Sequence, residues 1–200
     1  MGLLSIIRKH KLKSKILRVL ILGLDNAGKT TITHRLLNKS LDKVNPTMGF
    51  NIETISHNGF TLDLWDIGGQ KSLRTFWNNY FDQTDILIWV IDASSDRLGE
   101  SWLELERLSN GEWVKGVSVL IWINKVDLLI DPEGTQSTSK VQQFNKDKLQ
   151  QTRADVIEHL QLEKFKYNHW EVICCSAYNG MGIKEGLEWV LNAYKKDNDL

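Results

Sequence analysis

Gly23-Leu24-Asp25-Asn26-Ala27-Gly28-Lys29-Thr30 is the stretch that decides how this chain is read. It follows the apolar run Leu17-Arg18-Val19-Leu20-Ile21-Leu22 and precedes a helix-like segment from Thr31 to Leu37. That strand–loop–helix context is what the pattern G-x-x-x-x-G-K-[ST] needs before it carries meaning. In such a loop successive backbone N–H groups face inward and cradle phosphate oxygens. The orphan amides and positive dipole end of the following helix add to the attraction. Gly23, Asp25, Asn26, Ala27, Gly28 and Thr31 are therefore candidate nucleotide contacts. Lys29 is expected to reach the terminal phosphates and the Thr30 hydroxyl to ligate Mg²⁺. A chance Lys-Thr after a Gly-containing turn is the competing account, and the flanking strand and helix argue against it. The loop says nucleotide without saying which one.

Composition narrows the class. The chain has 200 residues, 42% hydrophobic and 25% charged, which suits one globular domain with a substantial core. Net charge is zero, but Arg8, Lys9, Lys11, Lys13, Lys15 and Arg18 all precede the first acid, Asp25. The basic stretch is local, and no nucleic-acid-binding role is expected. Cys174 and Cys175 are adjacent, so in a strand they face opposite ways, and no further cysteine completes a zinc site. Buried, reduced thiols are expected. No apolar run approaches the roughly 18 residues of a membrane span, and neither a signal peptide nor a prenylation box is present. These features predict a cytoplasmic, monomeric protein.

Met1 to Lys15 carries Leu3, Ile6 and Ile7 on one helical face among basic residues. The expectation is an amphipathic helix over residues 1–15, whose short apolar face makes membrane contact weak or absent. Gly2 invites comparison with M-G-x-x-x-[ST], but position 6 is Ile, which argues against myristoylation.

Beyond the polar connection Asn38 to Met48, two strand-like runs, Phe50 to Ser56 and Phe60 to Asp66, flank Asn58-Gly59, a strong hairpin signal. Ile86 to Ile91, ending in Asp92, and Val117 to Ile123, ending in Asn124, are apolar on both faces, as parallel strands covered by helices are. A helix is expected from Leu98 to Leu108, a last strand from Glu171 to Cys175, and a last helix from Ile183 to about Tyr194. Asp131 to Asp147 is polar and reads as a flexible insertion before a helix from about Lys148 to Leu160. The prediction is a doubly wound α/β domain over residues 16–200, with a mostly parallel six-stranded sheet and one antiparallel edge strand.

Ligands of such folds bind outside the carboxyl ends of the strands, where several polar motifs fall. Asp66, in Trp65-Asp66-Ile67-Gly68-Gly69-Gln70, can hold Mg²⁺ through water, and the Gly69 amide can approach a γ-phosphate. In Asn124-Lys125-Val126-Asp127 the Asp127 carboxylate can accept two parallel hydrogen bonds from guanine. Adenine lacks that donor pair and would leave the carboxylate unpaired at a desolvation cost. The Lys125 stem can cover the base, and Ser176-Ala177 offers backbone amides to the guanine O6.

With these motifs in order, the chain resembles a small GTPase of the Ras superfamily and, within it, the ADP-ribosylation-factor family. Pro46-Thr47-Met48-Gly49-Phe50-Asn51 and the opening Met1-Gly2-Leu3-Leu4 share that likeness, as do the phosphate loop and the Trp65–Gln70 motif. The unlipidated start and Phe76-Trp77-Asn78-Asn79-Tyr80-Phe81 resemble the Arf-like branch linked to tubulin-folding cofactors and microtubules. The resemblance implies that Thr47 completes the Mg²⁺ shell from switch I and that Gln70 orients the attacking water. It also implies that Phe50, Trp65 and Tyr80 form an effector-binding triad, with core packing as the competing role. Exchange factors and GTPase-activating proteins come with the family. Switch I contains no arginine, so slow intrinsic hydrolysis is expected, and Arg74 is expected on the surface of switch II. Two other functions stay open at this point: an Arf-type regulator of membrane trafficking, and a GTP-dependent binding module with negligible hydrolysis.

Overall fold

A computed structural model describes residues 15–111, 116–130 and 139–199 of the chain. Its elements in chain order are β1 (Ile16–Leu22), α1 (Lys29–Leu36), β2 (Phe50–His57), β3 (Phe60–Ile67), β4 (Ile86–Asp92), α2 (Leu98–Ser109), β5 (Ser118–Asn124), α3 (Ser139–Leu160), β6 (Trp170–Cys174) and α4 (Ile183–Asp197). A 3₁₀ segment, Arg74–Tyr80, lies between β3 and β4. The six strands form one sheet in the order β2-β3-β1-β4-β5-β6. All pairings are parallel except β2 with β3, the antiparallel edge hairpin. Asn58 and Gly59 both take positive φ at its turn, the conformation that matches the twist of paired strands.

The apolar strands follow from burial on both faces. Leu17, Val19 and Ile21 of β1 join a core with Ile32 of α1 and Leu187, Val190 and Leu191 of α4. Leu20 and Leu22 face the other way, into a core with Trp77, Leu105 of α2 and Leu160 of α3. β1 sits between β3 and β4, where the chain order of the sheet reverses, and the phosphate loop leaves its carboxyl end there.

The expected order of elements holds, with end shifts of a few residues, and one helix is longer. α3 begins at Ser139, not near Lys148. Low apolar content does not forbid a solvent-facing helix: 139–160 lacks Gly and Pro and is rich in Lys and Gln, which are good helix formers. The Gln143–Asp147 and Gln151–Asp155 bonds, 2.7 and 2.6 Å, add support at i,i+4. The residues of the insertion before Ser139 and the expected N-terminal helix over 1–14 lie outside the described residues.

One contact between α4 and the sheet gives a stability prediction. A Cβ on Gly186 would lie 2.3 Å from Nε1 of the fully buried Trp122. Gly186→Ala gains about 1 kcal/mol of helix propensity. It overpacks a core site at a typical cost of about 1–3 kcal/mol. The expected net result is a loss of about 1–2 kcal/mol in urea unfolding; a gain would show that α4 can shift away from Trp122 without penalty.

Candidate functional site

The mouth of the sheet at the end of β1 is a cleft of about 310 Å³. Asp25, Asn26, Gly28, Lys29, Thr30 and Thr31 line it from the phosphate loop, and Thr47, Gly69 and Gln70 from the two loops opposite. Gly28 has φ 93° and opens α1, so the loop can turn directly into the helix N-terminus. Lys29 is buried, and its ammonium donates to the Gly23 and Leu24 carbonyls, both at 2.8 Å. Burial pushes its pKa down to about 8, against the pull of Asp66 and Asp25.

Three oxygens converge beside it. The Thr30 hydroxyl donates to Asp66 Oδ2 at 2.7 Å and lies 2.8 Å from the Thr47 hydroxyl. Thr47 itself lies 3.4 Å from the same carboxylate oxygen. Asp66 is fully buried, and its Oδ1 is buried without a hydrogen-bond partner among the described residues. Desolvation raises its pKa, with the Thr30 bond opposing. A buried carboxylate with an idle oxygen, next to two hydroxyls, is a hard-oxygen set suited to a small divalent cation. The residues fit Mg²⁺.

Gly69 needs its missing side chain for a reason beyond phosphate approach. A Cβ there would sit 2.4 Å from the Asp25 amide nitrogen, because the Gly69 carbonyl accepts from that amide at 3.2 Å. Switch II therefore lies directly on the phosphate loop. Gln70 donates to the Met48 sulfur at 3.4 Å, a weak acceptor that leaves its side chain loosely held.

The residues expected to read the base do not line the cleft; they stand beyond it and are tied to it. Asn124 donates to the Ala27 carbonyl at 2.9 Å and accepts from the Ala177 amide at 2.9 Å. Nearly inaccessible, Asn124 acts as a strut joining the phosphate loop to the loop after β6. The Ser176 amide donates to the Met181 carbonyl at 2.9 Å. Both amides assigned to O6 are thus engaged within the protein, and a base oxygen would have to share the Ala177 amide with Asn124. Asp127 has its Oδ1 buried and without a partner among the described residues. Lys125 takes a left-handed φ of 65° and pairs with Asp92 at 2.7 Å.

The aromatic triad does come together. Phe50 stacks on Trp65 at 5.9 Å and meets Tyr80 edge-on at 5.7 Å. The Arg18 guanidinium lies 3.8 Å from the centre of the Trp65 ring and donates to the Tyr80 carbonyl at 3.2 Å. Phe50 remains 47% exposed, which core packing does not explain. Met48 and Ile52, beside it in sequence, are 78% and 46% exposed.

Arg74 corrects an expectation. It is 3% exposed rather than on the surface, because carboxylates and a carbonyl surround its guanidinium. Sequence reasoning also passed over Arg97, which binds Asp25, and Arg35, which donates to the Ala177 and Tyr178 carbonyls. The signal was present in Asp25: an acid in a phosphate-binding loop requires cationic partners. Its carboxyl is held below the usual range by Arg97, against desolvation.

Comparisons with known proteins agree with this geometry. The model of the ADP-ribosylation factor family matches residues 3–194. ADP-ribosylation factor-like protein 3 of Chlamydomonas reinhardtii is 45% identical over 196 residues, covering 98% of this chain and 100% of the relative. ADP-ribosylation factor-like protein 2 of Dictyostelium discoideum is 40% identical over 192 residues, covering 96% and 94%. Among solved structures, the Arl6 BBS3 small GTPase of Trypanosoma brucei, with bound nucleotide analogue GppNp, superposes with a TM-score of 0.71. It has 26% identity over 91% of this chain and 99% of that one. The cleft, the mixed sheet and these likenesses together mean that the chain belongs to the ADP-ribosylation factor family, as an Arf-like small GTPase and GTP-dependent switch.

Proposed function

We propose that the cleft takes GTP or GDP with Mg²⁺ through the residues named above, and that the GTP form serves tubulin folding or microtubule biogenesis by capturing effectors. The observation that carries the nucleotide reading is the meeting of Thr30, Asp66 and Thr47. It joins the phosphate loop, switch II and switch I at one point. Thr30 and Thr47 would hold Mg²⁺ directly and Asp66 through water, so that the ion neutralises charge on the phosphate oxygens.

The backbone of Gly23 to Thr31 receives the phosphates, Lys29 pairs with the terminal ones, and the Gly69 amide donates to the γ-phosphate. Asp127 selects guanine, Asn124 braces the two loops, Lys125 covers the ring, and the Ser176–Ala177 loop borders O6. Hydrolysis removes the γ-phosphate contacts of Thr47 and Gly69 and releases both segments. The β2–β3 hairpin connects those segments, and its register on β1 is the element that would slide, coupled to a helix over residues 1–15. Gln70 orients the attacking water, slowly without an activating protein.

Effector binding is assigned to Phe50, Trp65 and Tyr80, in reach of the moving loops. The microtubule assignment is supported by the resemblance of the Phe76–Phe81 segment and by the Ile at position 6. Affinity capture with GTP-locked and GDP-locked protein tests it. GTP-dependent enrichment of tubulin-folding proteins, lost in Phe50→Ala, is the expected result. Enrichment of coat or tether proteins, with GTP-dependent flotation on liposomes, would overturn it in favour of membrane trafficking.

A further inference from the structure

Arg74 spends every face of its guanidinium inside the protein. Nε donates to the Gly69 carbonyl at 2.8 Å. One terminal nitrogen reaches Glu100 at 2.7 Å and Glu104 at 3.3 Å; the other reaches Asp25 at 3.0 Å. Arg97 closes the ring from the far side, bonding Glu100 at 2.7 Å and Asp25 at 3.0 Å. Five charged side chains thus clamp the phosphate loop, the segment after Gly69 and α2 to one another. Glu100 stays ionised throughout, its pKa held down to about 2 by Arg97 and Arg74.

Trp77 and the clamp each hold one of the two peptides that flank Gly69. A trans peptide points its N–H opposite to its C=O. The Gly68 carbonyl is held by the Trp77 indole at 3.0 Å, on the core side. The N–H of the same peptide, that of Gly69, is therefore turned away from Trp77, and Gly69 lines the cleft. The Gly69 carbonyl, held by Arg74 and the Asp25 amide, fixes the next peptide. Both sides of Gly69 are thus held, by Trp77 on one and by Arg74 with the Asp25 amide on the other.

We propose that Arg74 is a positioning residue for γ-phosphate recognition: by holding the Gly69 carbonyl it fixes Gly69 against the phosphate loop, so that the Gly69 amide, which Trp77 turns through the Gly68 carbonyl, stays at the cleft, and α2 Glu100 and the phosphate-loop Asp25 brace Arg74. The inference rests on the assignment of the Gly69 amide to the γ-phosphate. Its consequence is that two acids on α2 help to set the preference for GTP over GDP. Arg74→Lys should fail to rescue, since a point charge cannot serve a carbonyl and several carboxylates in fixed directions.

The test measures GDP and a non-hydrolysable GTP analogue on the full chain with Mg²⁺, by displacement of a fluorescent nucleotide, for Arg74→Ala, Arg74→Lys and Glu100→Gln. Both Arg74 variants are expected to lose about 10- to 100-fold in the analogue-to-GDP affinity ratio, the scale of one hydrogen bond to a charged group. Glu100→Gln should shift the ratio the same way by less. Should Arg74→Ala not fold, Glu100→Gln, whose side chain is 39% exposed, carries the test alone. Parallel losses for both nucleotides, or an unchanged ratio, would overturn the proposal. Failure of the underlying assignment is distinguishable, because the unaltered protein would then not favour the analogue's γ-phosphate at all.

Discussion

Replacing Asp127 with Asn is expected to lower affinity for GDP and GTP by about 100- to 10,000-fold while leaving the fold intact. The magnitude comes from two charge-assisted hydrogen bonds, from the ring N–H and the exocyclic amine of guanine, each worth about 1.5–3 kcal/mol. The structure supplies the reason such bonds would be strong: Asp127 Oδ1 is already buried and has no partner among the described residues. Its desolvation is thus met in advance, and a ligand donor recovers the whole interaction. Asn presents an amide that accepts only once and faces the guanine amine with N–H. Xanthine, which carries a carbonyl in place of that amine, should therefore bind the variant better than guanine does. Competitive displacement of a fluorescent GDP measures both. Equal guanine affinity in variant and parent would remove Asp127 as the selector, and the strut Asn124 would become the next residue to examine.

The parts of this site that could be read in advance are those with a local pattern. Gly23–Thr30 declares itself because one strand, one loop and one helix suffice to define a phosphate cradle, and the Asn58-Gly59 hairpin is equally local. The strands were legible because burial on both faces writes a continuous apolar run, as Ile86 to Ile91 does. What local pattern does not contain is the pairing of distant charges. Arg74 lies 49 residues from Asp25 and 26 from Glu100, and only the folded chain turns a surface-seeming arginine into a buried clamp. Amide availability is also invisible in sequence: Ser176 and Ala177 look like free donors until Met181 and Asn124 are seen to occupy them. The start of α3 at Ser139 is hidden for a different reason: a polar, Lys- and Gln-containing stretch has the same composition as a flexible insertion and as a solvated helix.

Gln70→Leu is expected to reduce single-turnover GTP hydrolysis in the presence of a cell extract by about 100-fold or more. Affinities for GDP and a GTP analogue should stay within a few-fold of the parent. The effect is one of positioning: an in-line water must be held by an acceptor and a donor, and Leu provides neither. Misplacing a reacting group by about 1 Å can by itself cost about 100-fold. The side chain is poised for such a role because its partner among the described residues is the Met48 sulfur, at 3.4 Å. A thioether is a weak acceptor, so Gln70 can leave it for water at little cost. The difference should be largest when an activating protein is present. Intrinsic turnover in this class is roughly 10⁻⁴ s⁻¹, and a partner's arginine contributes up to about 10⁵-fold only if the water is already aligned. Arg74 cannot serve as that arginine in cis, being committed to Gly69, Asp25, Glu100 and Glu104. The activating arginine is expected from a partner protein, and Gln70→Leu should leave the protein in its GTP form even when that group is supplied. Hydrolysis at the parental rate in extract would sink the role of Gln70 and return the search to the Asp66 carboxylate beside Thr47.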